Sequence, residues 1–187
     1  MATAPEIDVP SEIERLTEFG RKNAITITVT VIVLVLVVAV PATITGAKRR
    51  SADKALELLG STTSLNQLQE IVDNYASTPS APLALLQLAK EHYNTGNYPF
   101  AEEKYNDFRN AYGDHRLAAA AEHGLAHCAE AQGRTRQALN AFESFATRFP
   151  DHFLTTQALF GQGRCLEVLS QLQDARIIYE TIIADDP

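Results

Sequence analysis

The stretch that decides the fold runs from Gly133 to Pro150 and has the sequence GRTRQALNAFESFATRFP. Gly133 suits a tight turn, because glycine takes positive φ without steric cost. Ala138, Phe142 and Phe145 follow at positions i, i+4 and i+7, which places them on one face of a helix. Pro150 ends that helix, since proline cannot continue the hydrogen-bond ladder. The stretch therefore predicts a turn and a helix with one small and two aromatic side chains on its inner face.

The same pattern recurs on both sides at a fixed spacing of 37 residues. Toward the N-terminus the equivalent residues are Gly96, Ala101, Tyr105, Phe108 and Tyr112. Toward the C-terminus they are Ala175, Tyr179, Ile182 and Pro187. A small residue also recurs in each preceding helix, at Ala52, Ala89, Ala126 and Gly163. Self-similarity of this length predicts a solenoid of stacked helix pairs.

The shared features of these segments resemble the tetratricopeptide repeat. They are a small residue in the first helix, glycine near the turn, alanine early in the second helix, an aromatic residue four positions later, and proline at the exit. The family's usual tryptophan is absent, and Leu85, Glu122 and Leu159 take its place. The resemblance implies an all-α fold, a right-handed solenoid of helical hairpins; an unrelated antiparallel helical array would have the same architecture. We predict a repeat domain over 47–187, with a degenerate repeat at 47–81 and clearer repeats at 82–117, 118–154 and 155–187.

An uncharged apolar segment, AITITVTVIVLVLVVAVPATITG, covers residues 24–46 ahead of the repeats. A helix of ~20 apolar residues crosses the bilayer core, and a lone segment in lipid must be helical to satisfy its backbone groups. We therefore predict a transmembrane helix over 24–46. A cleaved signal peptide is the alternative, but the cations at 48–50 make an awkward start for a translocated mature chain.

Residues 1–23 are predicted to form a polar tail that contains a short amphipathic helix. Ser11 and Glu14 have the spacing of a capping box, and Ile13, Leu16 and Phe19 share one side of the helix that follows. This helix either lies at a membrane surface or simply leads into the apolar segment. Lysine and arginine are nearly balanced around that segment, so the positive-inside rule does not orient the chain.

The layout of the whole chain resembles the YfgM-type inner-membrane proteins, single-pass ancillary subunits of the bacterial SecYEG translocon. The matching residues are Phe19, the basic pair Arg21–Lys22, and the helix start from Ser51 to Ala55. The resemblance implies a bacterial inner-membrane protein with a cytoplasmic N-terminus and periplasmic repeats. It also implies translocon subunits, periplasmic clients or chaperones as partners.

Composition argues against several functions. The net charge of −7 and the pI of about 5.2 disfavour binding to nucleic-acid phosphates. Two cysteines, Cys128 and Cys165, exclude a disulfide scaffold or a four-cysteine zinc site. We expect two separate buried thiols, because equivalent positions on stacked helices lie beyond the ~7 Å limit for a disulfide. No nucleophile motif or glycine-rich loop after a strand is present, so we predict no enzymatic activity and no cofactor.

The first helix of each pair lines the concave groove in this repeat class, and equivalent positions form ladders there. A predicted basic row comprises Lys90, His127 and Arg164. Beside it we predict two further rows: Leu86, His123 and Phe160, and then Tyr93, Glu130 and Glu167. Such a groove suits a protein segment with a charged and an apolar feature; the alternative is that these rows are merely solvated helix faces. Only Lys90 and Asn94 match the carboxylate clamps that bind chaperone tails, so that ligand is not predicted.

Histidines invite two further interpretations. His123 and His127 have the i, i+4 spacing of a zinc site and Cys128 follows, but no His-Glu-x2-His motif is present. We therefore predict no metal. An Asp-His pair recurs after two of the second helices, at Asp114-His115 and Asp151-His152, and we expect its aspartates to cap the next helix.

Together these features predict a membrane-anchored scaffold for protein–protein interactions, at the translocon or with periplasmic clients and chaperones. A cell-envelope or outer-membrane assembly adaptor similar to BamD is the first alternative. A metal-dependent enzyme that uses His123 and His127 is the second and less favoured one.

Overall fold

The computed structural model describes residues 19–61 and 64–185, apart from the side chains at 27, 36, 38–42 and 185. The capping box at Ser11 and Glu14, and the helix predicted to follow it up to residue 18, lie outside the described residues. Residues 19–22 are helical.

The described residues form α-helices and turns, without a strand among them. The helices are α1 (Ala24–Ser61), α2 (Leu65–Asn74), α3 (Ala81–Asn94), α4 (Tyr98–Tyr112), α5 (Ala118–Ala131), α6 (Thr135–Arg148), α7 (Thr155–Val168) and α8 (Leu172–Asp185). From α2 onward each helix packs on the next, and α3 touches α5 as α5 touches α7. The predicted all-helical array of hairpins α3–α4, α5–α6 and α7–α8 is confirmed. We call α3, α5 and α7 the first helices and α4, α6 and α8 the second helices.

Two compact units divide the chain, residues 1–50 and residues 51–187, and each is described by itself. In the first unit the helical conformation predicted for 24–46 is confirmed, and its apolar side chains such as Val33, Leu34 and Val37 are exposed. No helix in the described part of the chain is long and apolar enough to cross a membrane. Several side chains of the predicted spanning segment lie outside the described set.

The turns inside the hairpins contain the predicted left-handed residues. Gly96 has φ +77° and Gly133 has φ +71°. The equivalent position in the last hairpin is Ser170, with φ +63°. A left-handed conformation costs a residue with a Cβ atom about 1–2 kcal/mol. The turn geometry is thus kept even where the sequence lacks the glycine that favours it.

The predicted inner face of the second helices forms the core. Ala138 and Phe142 are fully buried and Phe145 is 1% exposed. The equivalent Ala101 and Phe108 are fully buried one hairpin earlier. In the degenerate repeat, smaller side chains of α1 and α2 fill the core, including Ala55, Leu68 and Ile71. Each Å² of apolar surface that is buried contributes about 25 cal/mol to stability, so burial in these stacked clusters is the main contribution to the stability of the fold.

Glycines on the first helices allow the aromatic rings of the preceding second helix to approach the backbone. A Cβ atom built on Gly124 would lie 2.4 Å from Cζ of Tyr105, and one on Gly161 would lie 2.6 Å from Cζ of Phe142. The two pairs are equivalent, 37 residues apart. In the degenerate repeat, where Leu68 replaces the ring, the position of the glycine is occupied by Gln87. A repeat with an aromatic ring in its second helix is thus followed by a glycine in the next first helix, and the degenerate repeat lacks both.

The predicted aspartate caps are wrong. The N-cap residues of α5 and α7 are Leu117 and Leu154 and not the aspartates, and neither N-cap residue makes a capping hydrogen bond with its own side chain. The histidine after each aspartate is used instead: Nδ1 of His115 accepts from the N–H of Leu117, and Nδ1 of His152 accepts from the N–H of Leu154, both at 3.2 Å. Each N-cap residue lies two positions after the histidine. The imidazole therefore reaches the backbone N–H of the N-cap residue, which the preceding aspartate does not bond.

Candidate functional site

A cavity of about 420 Å³ opens on the face formed by the first helices. Its lining residues are Leu86, Lys90, Tyr93, Asn94, Tyr105, Ala120, His123, Gly124, His127, Phe153, Leu154 and Gln157. Five of the nine predicted groove residues are among them: Leu86, Lys90, Tyr93, His123 and His127. We call this space the first-helix cavity.

Helix α3 supplies one wall of the first-helix cavity. Leu86, Lys90 and Asn94 follow one another at i, i+4 and i+8, so they lie one above the other on one helix face. Lys90 is exposed and forms no ion pair with any residue that the structure describes. The wall therefore presents an uncompensated ammonium group beside an apolar surface.

Helix α5 supplies four further lining residues of the cavity, and His123 is a buried one among them. His123 is 7% exposed, and its ring lies 5.4 Å from the ring of Phe145 and 4.5 Å from that of His127. Burial, and then the charges of His127, His152 and Arg164, lower the pKa of His123 to about 4. The imidazole is thus neutral at pH 7. Its Nε2 is buried without a hydrogen-bond partner among the described residues.

Other parts of the cavity were not predicted. Tyr105 enters from a second helix, which the ladder argument did not consider. Gly124 could have been recognised because Gly161 follows it by 37 residues, the same spacing that links Tyr105 to Phe142. Phe153 is 79% exposed and lies in the turn before α7, where the repeat pattern carries no signal.

Arg164 and Glu130 belong to an ion-pair network and not to open rows. Arg164 Nε donates to Oε1 of Glu130 and Nη2 donates to Oε2, both at 2.8 Å. His127 Nδ1 lies 3.2 Å from the same Oε2. The predicted basic row of Lys90, His127 and Arg164 is thus partly paired within the chain, and its role in binding a partner stays a prediction. The long side chain of Arg164 reaches across to α5, where Glu130 compensates its charge and also contacts His127.

Opposing effects act on the Glu130 carboxyl. Burial favours its neutral form, but hydrogen bonds from His127 and Arg164 and the charge of Arg164 outweigh burial and hold the pKa at about 2. Glu130 is therefore ionised at neutral pH. The network links α5 to α7 and stabilises their contact.

Phe160 and Glu167, the last two predicted groove residues, lie away from the cavity. The ring of Phe160 is 44% exposed and its centroid lies 6.2 Å from that of Tyr179. Burial, followed by the charge and hydrogen bond of Glu167, raises the pKa of Tyr179. Both predicted groove residues therefore contact α8 and are not brought together with Lys90.

The two cysteines are separate buried thiols, as predicted. Burial raises the pKa of Cys128 to about 12 and that of Cys165 to about 11, so neither is a reactive thiolate at neutral pH. Among residues 19–61 and 64–185, no group of three or more His, Cys, Asp and Glu side chains is placed to hold a metal ion.

Comparisons with known proteins agree with this architecture. Residues 18–186 match the sequence model of a family described as a tetratricopeptide repeat-like domain. Two crystal structures of a Podosopora anserina protein, named as a putative kinesin light chain with nearly identical TPR-like repeats, are similar in fold; one of the two is a single-residue variant of the other. Each is 19% identical, covers 73% of both chains and has a TM-score of 0.56. No curated protein matches the chain.

Proposed function

The chain belongs to the tetratricopeptide repeat-like family, and on that basis we propose that it is a membrane-anchored scaffold that binds protein segments on its first-helix face. Repeats of this class generally bind proteins or peptides through stacked helices, because an extended surface can contact several residues of one segment. The scaffold is non-enzymatic in this proposal.

The observation that carries the proposal is the first-helix cavity. Its volume of about 420 Å³ lies within the ~300–1,000 Å³ that ligand-binding clefts usually have. Apolar side chains such as Leu86, Phe153 and Leu154 form much of its lining. Lys90 adds a charge that can orient a segment.

The anchor in this proposal is the segment 24–46. It contains no charged residue, and cations flank it at 21–22 and 48–50. We place it in the bacterial inner membrane, with the N-terminus in the cytoplasm and the repeats in the periplasm. This placement rests on the layout shared with YfgM-type proteins, and it makes translocon subunits, periplasmic clients or chaperones the expected partners.

Photocrosslinking in native membranes tests the binding face. A photoreactive amino acid at Gln157, an exposed cavity residue, is expected to give discrete crosslinked products. The same group at Glu143, an exposed residue of second helix α6, serves as the matched control and is expected to give few. Translocon subunits among the products support the proposed location, whereas outer-membrane assembly components favour the adaptor alternative. Equal products from both positions contradict the first-helix face as the binding surface.

Thiol labelling tests the orientation. Both native cysteines are buried, so an impermeant maleimide is expected to report only an introduced thiol. In intact spheroplasts the Lys90→Cys chain is expected to be labelled, because position 90 is exposed and faces the periplasm in the proposal. Ser11→Cys in the N-terminal tail is expected to be labelled only after lysis. Protection of Lys90→Cys with labelling of Ser11→Cys would place the repeats in the cytoplasm.

A further inference from the structure

We propose that the groove between second helices α4 and α6 is a second docking surface, which binds an acidic side chain of a partner protein. Two cavities of about 230 and 210 Å³ form this groove, and both are lined by Arg109, Leu125 and Ala141. We call the joined space the second-helix groove. None of its lining residues lines the first-helix cavity, so the proposal goes beyond the first-helix face and allows the chain to hold two partners at once.

Three helices form the second-helix groove. Helix α5 packs on both α4 and α6, and its Leu125 and Ala129 contribute apolar surface to the lining. Arg109 comes from α4, and Ala141 and Ser144 come from α6. The groove thus combines an apolar part, around Leu125, Ala129 and Ala141, with polar side chains on the two second helices.

Two residues of the α5–α6 hairpin distinguish this groove from the equivalent places in the chain. Ala141 stands where the last hairpin has Ile178, so a long side chain is missing there. Glu122 stands where the neighbouring hairpins have Leu85 and Leu159, so a carboxylate replaces an apolar side chain. The groove is therefore a feature of this hairpin and not a consequence of the repeat pattern.

The acidic groups of the groove are already bonded within the chain. Oε2 of Glu102 accepts from Nη2 of Arg134 at 2.6 Å, and Oε2 of Glu122 accepts from Nη1 of Arg148 at 2.5 Å. Arg109 forms no ion pair with any residue that the structure describes. Its positive charge is therefore left for a partner to compensate.

A neighbour on the same helix holds the guanidinium group of Arg109 at the groove. Nη2 of Arg109 donates to Oδ1 of Asn106 at 2.8 Å, and both residues line the groove. Arginine has five N–H donors, so this hydrogen bond leaves others for a ligand. A guanidinium group binds a carboxylate through two parallel N–H···O bonds, which makes an acidic side chain a fitting occupant.

Charge and apolar surface favour a carboxylate over a phosphate group. A carboxylate carries one negative charge, which matches the one charge of Arg109, whereas a phosphorylated residue carries about −1.5 to −2 at pH 7. The second charge of a phosphate would be repelled by Glu102 and Glu122, which line the same groove. The methylene groups of an acidic side chain can also pack on Leu125 and Ala141.

The test is a titration of the full chain in detergent micelles, with its arginine side chains labelled with nitrogen-15 for NMR. The probes are N-acetyl-Ala-Glu-Ala-amide, N-acetyl-Ala-Gln-Ala-amide and inorganic phosphate. The glutamate probe is expected to shift the Nε–H signals of Arg109 and Arg148 saturably. The glutamine probe is expected to bind about tenfold more weakly, the lower end of the effect of a hydrogen bond to a charged group. Phosphate is expected to bind more weakly than the glutamate probe.

Two variants assign the preference to the groove, with the Arg148 signal as the measurement. Arg109→Gln changes an exposed residue and is expected to abolish the difference between the two peptide probes. Arg136→Gln is the matched control, because Arg136 is exposed on α6 and lines neither cavity; it is expected to keep the difference. Ala141→Ile introduces the residue found at the equivalent position of α8 and is expected to fold, fill the groove and weaken the glutamate probe at least fivefold, about 1 kcal/mol, by steric exclusion.

Equal affinities of the two peptide probes for the unchanged chain, tighter binding of phosphate, or no shift at Arg109 would overturn the proposal. A preference for glutamate that persists in Arg109→Gln would do the same. A dimer of the chain that dissociates in Arg109→Gln would also overturn it, because a second copy would then occupy the groove. If Ala141→Ile does not fold by circular dichroism, Arg109→Gln alone decides. Glu143, the crosslinking control for the first-helix face, does not line the groove, so the two tests are independent.

Discussion

Gly161→Gln is expected to lower the free energy of unfolding by about 2 kcal/mol. Any Cβ atom at this position would come within 2.6 Å of the fully buried ring of Phe142, and overpacking of this kind costs about 1–3 kcal/mol. The better helix propensity of glutamine returns only about 0.5–1 kcal/mol. Urea unfolding of the full chain in detergent, followed by circular dichroism, measures the change.

The degenerate repeat suggests the compensating variant. Leu68 and Gln87 occupy there the positions of Phe142 and Gly161, so Phe142→Leu combined with Gly161→Gln is expected to cost less than the sum of the two single changes. Gly60→Gln is the matched control, because a Cβ atom there meets nothing within 4 Å; it is expected to be neutral or slightly stabilising. Strict additivity of the two single changes contradicts the ring-on-glycine contact.

Arg164→Glu is expected to cost about 2 kcal/mol of stability. It replaces the bidentate pair with two carboxylates that face each other at the contact between α5 and α7. The side chains of Arg164 and Glu130 are 45% and 26% exposed, so the cost lies between that of a surface pair, about 0–1 kcal/mol, and that of a buried pair, about 3–5 kcal/mol. The charge swap Glu130→Arg with Arg164→Glu is expected to recover part of the loss.

Arg176→Glu is the control for that variant, because the pair of Arg176 and Glu180 is well exposed and is expected to matter little. Acid unfolding gives a second measurement. The folded-state pKa of Glu130 is about 2, below its ordinary value of 4.5, so its stabilising effect is complete above about pH 4.5 and is lost as the pH falls towards 2. Glu130→Gln is expected to flatten this part of the stability profile. An unchanged profile contradicts the network.

The repeat period predicted the fold because it gives the positions along the backbone that are buried in every hairpin. Ala138, Phe142 and Phe145 have helical spacing, and residues at the equivalent positions recur every 37 residues. Residues at equivalent backbone positions are buried in the same way in each hairpin. Gly133 and its equivalent Gly96 likewise share a left-handed turn conformation. Ser170 shows that the residue type alone does not predict the turn, since the backbone keeps the left-handed conformation there without a glycine.

The candidate site was predicted only in part, because a period gives positions along a helix but not the reach of a side chain. Glu130 and Arg164 stand in different predicted rows, yet they meet across the contact between α5 and α7, 34 residues apart. Lys90 has no acidic residue in the corresponding place and stays free among the described residues. Residues outside the repeat pattern, such as Phe153, could not be placed at all.

The strongest test of the first-helix face is the crosslinking yield from Gln157 in native membranes of cells that carry Lys90→Glu. This change reverses the charge of an exposed residue that lines the cavity, and we expect the crosslinked products to be largely lost while the helical content of the chain stays unchanged. Arg176→Glu, an equal change of charge at an exposed position on α8, is expected to leave the products intact. Products at full yield in Lys90→Glu would show that partners bind elsewhere on the chain.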